Sequence, residues 1–271
     1  MKYKDLELTD KELKELIIKK APKFYEEFIE KGIFIFRGGY EQEDIRILKT
    51  KPTRISHGWV IPDGLEKTIS TLFKRAGVAS RRENTLITIS NNIDDVKISF
   101  EDEFYAIPLG DYTYSYLKTL DADFNYTKSE LNDMLKSIEL IKELFLRLPV
   151  QIGVDITEVI NSVINGDGSL FDDLIGEFDD IISEFRSDLE DDSNDDPFTS
   201  IEIEHFENKK EELISEFKFI KDNLTPEKIR SLYYVDENEP LKGNSVEVVF
   251  NCKTFLQIPI DKYSLEEIFD K

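Results

Sequence analysis

In the stretch GNSVEVVFNCKTFLQIP, residues 243–259, Glu247 stands between Val246 and Val248, inside a near-continuous apolar run that also carries the only cysteine, Cys252. A carboxylate in such a run is costly to bury unless something uses it. Two other runs end in polar groups. IFIFRGG closes in Arg37, followed by Gly38 and Gly39, and NTLITIS carries Thr88 and Ser90 around Ile89. Each has an ordinary structural role when taken singly. An arginine at a strand end makes a surface ion pair, a Thr-x-Ser triplet gives a strand one polar face, and a glutamate sits on the outer face of an edge strand. Other chemistries lack their residues. There is no G-x-S-x-G elbow, and His57 lies in a turn-rich loop, so a Ser-His-Asp triad has no support. A Walker A loop and a G-x-G-x-x-G fingerprint are both missing. One cysteine excludes an internal disulfide and a multi-thiolate zinc site, and His57 and His205 cannot build a histidine-rich metal site.

The elements that must position these residues follow from periodicity. Thr9 and Glu12 form a capping box, and Leu13 and Ile17 lie on one face of the helix it opens. Pro22 suits the first turn of a second helix, with Phe24 and Phe28 as its apolar stripe and Gly32 as its C-cap. Strands are expected at Ile33 to Phe36, at Thr85 to Ser90, and in EFYAIPLGD up to the turn at Gly110 and Asp111. Residues 41–80 read as loop. From about Ser129 the period becomes helical, through Leu131, Met134, Leu135, Ile138, Ile141 and Phe145. Phe171, Leu174, Ile175, Phe178, Ile181, Ile182 and Phe185 continue a helical stripe on one side of the loop LEDDSNDDPF. Ile214, Phe217 and Ile220 do so on the other side, and EVVFNCKTFLQIP returns to strand.

Charge is unevenly distributed. The chain has 57 acidic and 35 basic residues, a net charge of -22. Residues 155–215 hold 20 acidic and 3 basic residues, a balance of -17, which leaves -5 for the remainder. Their apolar stripes mark them as folded helices with an acidic outer face. Such a chain is poorly suited to gripping nucleic-acid phosphates directly. The acid block is either a solvated face or a docking surface for a basic host protein. Neither an apolar signal core nor a membrane-length run is present, so a cytoplasmic setting is expected: a host cytoplasm, or a virion if the chain is phage-encoded. Helices, strands, a long helical excursion and a closing strand imply an α+β domain with a helical insertion.

Taken in order, the polar residues resemble the R-S-E class of mono-ADP-ribosyltransferases, of the kind found in bacteriophages. IFIFRGG resembles that class's first strand, which ends in arginine and often glycine. NTLITIS resembles its S-T-S strand, and NSVEVVFNCKTFLQIP its late glutamate-bearing strand. FYAIPLGDY is similar to the segment that follows the triplet. The resemblance covers about residues 32–124 and 240–261. It implies a split β-sheet core, with N-terminal helices at 1–31, the first part of the core at 32–124, the acidic insertion at 125–239, and closing strands and tail at 240–271. It implies NAD as a substrate that donates ADP-ribose to a host macromolecule. Arg37 would grip the pyrophosphate. The backbone at Gly38 would meet the nicotinamide carboxamide, and Thr88 and Ser90 would brace the ribose and Glu247. Glu247 would stabilise an oxocarbenium-like transition state. Ser245 stands where the family has Glu or Gln, the position that orients the acceptor. Two other readings remain beside it: a non-enzymatic phage interaction or virion protein that keeps the fold, and an acidic nucleic-acid mimic. Arg54 and His57, from KPTRISHGW, have no family role.

Overall fold

A computed structural model describes residues 8–39, 44–51, 65–79, 85–90, 102–117, 124–148, 152–191, 197–237, 241 and 247–271. Within helices and strands, residues 66, 85–90, 117, 124–132, 188–191, 197–200, 202 and 247 are described as backbone. The chain divides into two compact units. The first comprises residues 1–57, 77–127 and 230–271, and the second 58–76 and 128–229. The protein is α+β, and its described strands pair antiparallel throughout.

In the first unit, helix α1 (Asp10–Lys20) opens with the expected reciprocal cap. Thr9 Oγ1 accepts from the Glu12 amide at 3.4 Å, and Glu12 Oε2 accepts from the Thr9 amide at 2.9 Å. Leu13 and Ile17 are its buried face. Helix α2 (Pro22–Glu27) has proline at its start and passes into a 3-10 turn, Ile29–Lys31. That turn ends at Gly32, whose φ of 71° lies in the left-handed region that glycine enters without a Cβ penalty.

The strands are β1 (Ile35–Gly39), β2 (Arg46–Lys49), β3 (Thr85–Ser90), β4 (Asp102–Leu109), β5 (Thr113–Leu117), β6 (Tyr233–Val235), β7 (Glu247–Asn251) and β8 (Thr254–Pro259). Their order is β2-β8-β4-β1-β3-β7-β5-β6. The first strand thus begins two residues later than its expected start at Ile33 and carries its glycines into the ladder with β4. Gly39 is required there, because a Cβ would come within 2.9 Å of the Phe104 ring.

This order cannot be a flat sheet. Only Cys252 and Lys253 join β7 to β8, yet four strand steps separate them in the order. Four steps in a flat sheet span about 19 Å, whereas three residues reach at most about 10 Å. The strands therefore form two small sheets, β2-β8-β4-β1 and β3-β7-β5-β6, folded toward each other. They are joined by a short β1–β3 ladder of Ile35↔Ser90 and Phe36↔Ile89. Thr50 pins the tight corner. Its hydroxyl donates to the Cys252 carbonyl at 2.5 Å, and its amide to the Lys253 carbonyl at 3.1 Å.

The core of this unit is aromatic. The Phe24 and Phe28 rings stack at 4.7 Å, Phe28 meets Tyr114 edge-on at 5.0 Å, and Phe250 lies 5.7 Å from Tyr112. A short C-terminal helix, spanning Leu265–Ile268, packs on β4. There the Tyr105 hydroxyl donates to the Glu266 carboxylate and accepts from the Leu265 amide.

The second unit is helical. It holds α3 (Glu66–Arg75), most of α4 (Phe124–Leu146), α5 (Ile156–Ile164), α6 (Ser169–Asp191) and α7 (Pro197–Asn223). The expected stripes form its core. Leu174, Phe178 and Ile182 of α6 are buried, as are Leu213, Phe217 and Ile220 of α7 and Met134, Leu135, Ile138 and Ile141 of α4. Phe171 packs on Phe217 at 4.6 Å, and Phe185 on Phe206 at 5.5 Å.

Several expectations give way to the structure. The span 41–80 is not all loop, since β2 and α3 lie within it. In α3, Leu65, Ile69, Leu72 and Ala76 form a helical stripe, and the Thr68 hydroxyl bonds Asn161 of α5. This helix belongs with the second unit. At the other end, residues from 230 onward return to the first unit, where β6 pairs with β5. The helical excursion thus ends near 229, ten residues before the expected boundary at 239.

Candidate functional site

The site rests on a fork in the strands. From β1, Phe36 pairs with Ile89 of β3, and Ile89 pairs with Glu247 of β7. Beyond this row the two sheets part company. Arg37, Gly38 and Gly39 continue against β4, opposite Phe104, Glu103 and Asp102. Thr88 and the residues before it in β3 continue against β7. Arg37 is thus the first residue past the fork on one branch, Thr88 is the first on the other, and Glu247 lies in the row of the fork itself. Three sequence-distant positions occupy three neighbouring strands. Arg37 and Glu247 stand in adjacent rows, which an unbroken pleat would turn to opposite faces. Phe36, Ile89 and Glu247 form one continuous row and β1 runs on unbroken to Arg37, so a cleft shared by Arg37 and Glu247 requires the chain to twist at the fork.

Arg37 has an unusual setting. It is half-buried, and its guanidinium carbon lies 5.1 Å from the centre of the Phe255 ring. Arginine stacks well on an aromatic face because its guanidinium is planar and weakly hydrated. Burial lowers its pKa from the ordinary value, although it remains a cation. Among the described residues it makes no hydrogen bond and no ion pair. A partly desolvated cation without an anion is costly to maintain, and its five N–H donors are free to bind one.

Cys252 sits beside it in the corner. Burial pushes the thiol up to about 12 against the opposing pull of Arg37, so the sulfur stays protonated and un-nucleophilic at neutral pH. It is a small buried residue, as its sequence context indicates.

Gly38 is half-buried next to Arg37, paired with Glu103. Thr88, Ser90 and Glu247 have the backbone positions given above. Ser245, Arg54 and His57 lie outside the described residues. Sequence reasoning missed two members of this neighbourhood. Phe255 is the aromatic shelf beneath Arg37, and Asp102 opens β4 opposite Gly39. The signal for Asp102 was present: a charged residue heads the apolar strand DEFYAIPL. Phe255 carried no such signal, since its relation to Arg37 depends on the β7–β8 corner.

Among the described residues no helix is long and apolar enough to cross a membrane. Comparison of the chain with protein-family models, curated proteins and solved structures gives no match.

Proposed function

We propose that the protein is an NAD-dependent mono-ADP-ribosyltransferase-like enzyme that modifies a macromolecule of a host cell. The observation that carries this reading is Arg37: a half-buried guanidinium at the fork of the strands, shelved on Phe255, with no anionic partner among the described residues. A pyrophosphate supplies the missing charge and offers oxygens matched to the guanidinium fork. The strand order supports the same reading, because the positions resembling the family's three motifs fall on β1, β3 and β7, which are adjacent. In this reading the C–N bond between ribose and nicotinamide breaks, and nicotinamide leaves with the bonding electrons. The acceptor's nucleophile attacks the ribose carbon and releases its proton. Glu247 faces the positive charge that grows on the ribose. The test is incubation with labelled NAD and host lysate, beside calorimetry of NAD binding. Transfer of label with saturable binding supports the enzyme, and absence of both rejects it.

A second reading is favoured by a separate observation. All three basic residues of the acid block are held by its own acids: Arg186 by Glu207 at 2.5 Å, Lys209 by Glu212 at 2.7 Å, and Lys210 by Asp179 at 2.5 Å. The remaining carboxylates present a field of one sign, suited to steering a basic protein. Capture of basic proteins from lysate that weakens with salt, and persists in Arg37→Ala, would support docking independent of transfer.

A further inference from the structure

Arg37 directs its guanidinium toward the corner between β7 and β8. It lies over the Phe255 ring and acts electrostatically on the Cys252 thiol. The next residue, Lys253, is exposed and stands immediately before β8. The β2–β8 ladder runs one step past its Lys49↔Thr254 pair, since the Thr50 amide donates to the Lys253 carbonyl at 3.1 Å. Lys253 is therefore in register with Thr50 and two residues from Phe255. Residues two apart on a strand share a face and lie about 7 Å apart. Lys253 thus rises on the face where Phe255 carries Arg37, next to the ring that shelves the guanidinium. Lys49 is one step out of phase, because Leu48 is the partner of Phe255, and the pleat turns it to the opposite face. Among the described residues Lys253 forms no ion pair. Asp111, two residues beyond Leu109 at the end of β4, does not close on it. In a chain of 57 acidic and 35 basic residues, two neighbouring cations thus lack an acid. A doubly charged anion between them would relieve their mutual repulsion.

We propose that Lys253 is a specificity-determining residue that binds the second phosphate of a nucleotide diphosphate whose first phosphate lies on Arg37. This rests on the transferase reading for the identity of the ligand. The roles follow from the two groups. The guanidinium is planar and stacked, so it holds two oxygens of one phosphate in a fixed fork. The ammonium is a compact charge on a flexible stem, and it follows the neighbouring phosphate. A monophosphate satisfies Arg37 and leaves Lys253 without an anion. Lys253 therefore sets a preference for ligands with an intact diphosphate over nucleoside monophosphates. No covalent step is involved.

The test is calorimetry of ADP-ribose, NAD, AMP and inorganic pyrophosphate on the full chain, at fixed ionic strength. Wild type is compared with Lys253→Gln, Lys253→Arg and, as a matched loss of charge on the opposite face, Lys49→Gln. Thermal melts verify folding. Wild type is expected to bind ADP-ribose on the order of tenfold tighter than AMP. Lys253→Gln should weaken ADP-ribose, NAD and pyrophosphate by roughly tenfold and leave AMP within a few-fold. Lys253→Arg and Lys49→Gln should keep the wild-type order. Equal weakening by Lys49→Gln would show that net charge alone matters and overturn the proposal. Lys253→Gln that binds every ligand as wild type does, or that loses AMP as much as ADP-ribose, also overturns it. Wild type that binds ADP-ribose and AMP alike overturns it without any variant. These results leave the transferase reading intact. Lys253-dependent binding of ADP-ribose without transfer of label from NAD supports the site and rejects turnover. Wild type that binds none of the four removes both.

Discussion

At the scale of single residues, Glu247 and Arg37 are expected to fail in different ways. Glu247→Gln keeps shape and removes charge, so NAD should bind within a few-fold of wild type. Turnover should fall on the order of a hundredfold or more, because the lost interaction belongs to the transition state. Arg37→Ala should weaken NAD binding itself, since the pyrophosphate is held in ground and transition states alike. Arg37→Lys should restore it only in part, because an ammonium neither forks nor stacks as a guanidinium does. Calorimetry and a label-transfer assay on the three variants separate these outcomes. Cys252 gives a prediction independent of function. Burial holds its thiol up to about 12, against about 8.5 in an unfolded chain. Between those values the unfolded state releases a proton that the native state keeps. This group therefore takes stability away as pH rises above about 8.5 and is silent below it. Native protein should resist iodoacetamide at pH 8 and react once denatured, as mass spectrometry would report. Rapid native labelling would contradict the burial.

At the scale of elements, the corner between β7 and β8 decides whether the fork forms, and Thr50 holds that corner. Thr50→Val keeps volume and leaves the Cys252 carbonyl without its donor. The expected loss is about 1–2 kcal/mol, read as an earlier urea transition by circular dichroism. No change would mean the corner is held by other contacts. The same scale shows what the sequence could reveal. The span of β3 was legible from its β-branched run, the caps of α1 and α2 from Thr9, Glu12 and Pro22, and the stripes of α6 and α7 from their 3.6 period. The strand β5 was not, because Tyr114, Ser115 and Tyr116 are all buried and no alternation remains. Ser115 is tolerated there because its hydroxyl accepts from the Ala79 amide at 3.1 Å. Helix α3 carries a readable stripe from Leu65 to Ala76, but the turn residues just before it obscure the period. Arg37 stood out by type. The aromatic ring beneath it depends on a contact more than 200 positions away, and its lack of an anion among the described residues is a matter of tertiary placement, neither of which a local pattern encodes.

At the scale of the whole molecule, the two units differ in charge and in composition of structure. The helical unit has its own aromatic core and holds most of the excess negative charge. Excising residues 128–229 alone should leave Leu65, Ile69 and Leu72 of α3 without their cover, giving a soluble fraction that aggregates. Replacing 58–76 as well with a flexible Gly/Ser linker should yield a monomer that keeps its strand signal, by circular dichroism and size exclusion. Loss of the strands in that second variant would show that the helical unit is part of the strand core.

The placement of β8 has a consequence for how the chain is made. It lies between β2 and β4, and its pairing of Lys49 with Thr254 spans 205 positions (254 minus 49). During synthesis β2 and β4 emerge without the strand that joins them, and both carry open edges until β8 arrives. Closing such distant pairs is slow, and waiting edges are prone to mispairing. The helical unit, built mostly from neighbours in sequence, can form meanwhile. The Arg37 shelf is then among the latest features to be assembled, because Phe255 belongs to the strand that closes the sheet.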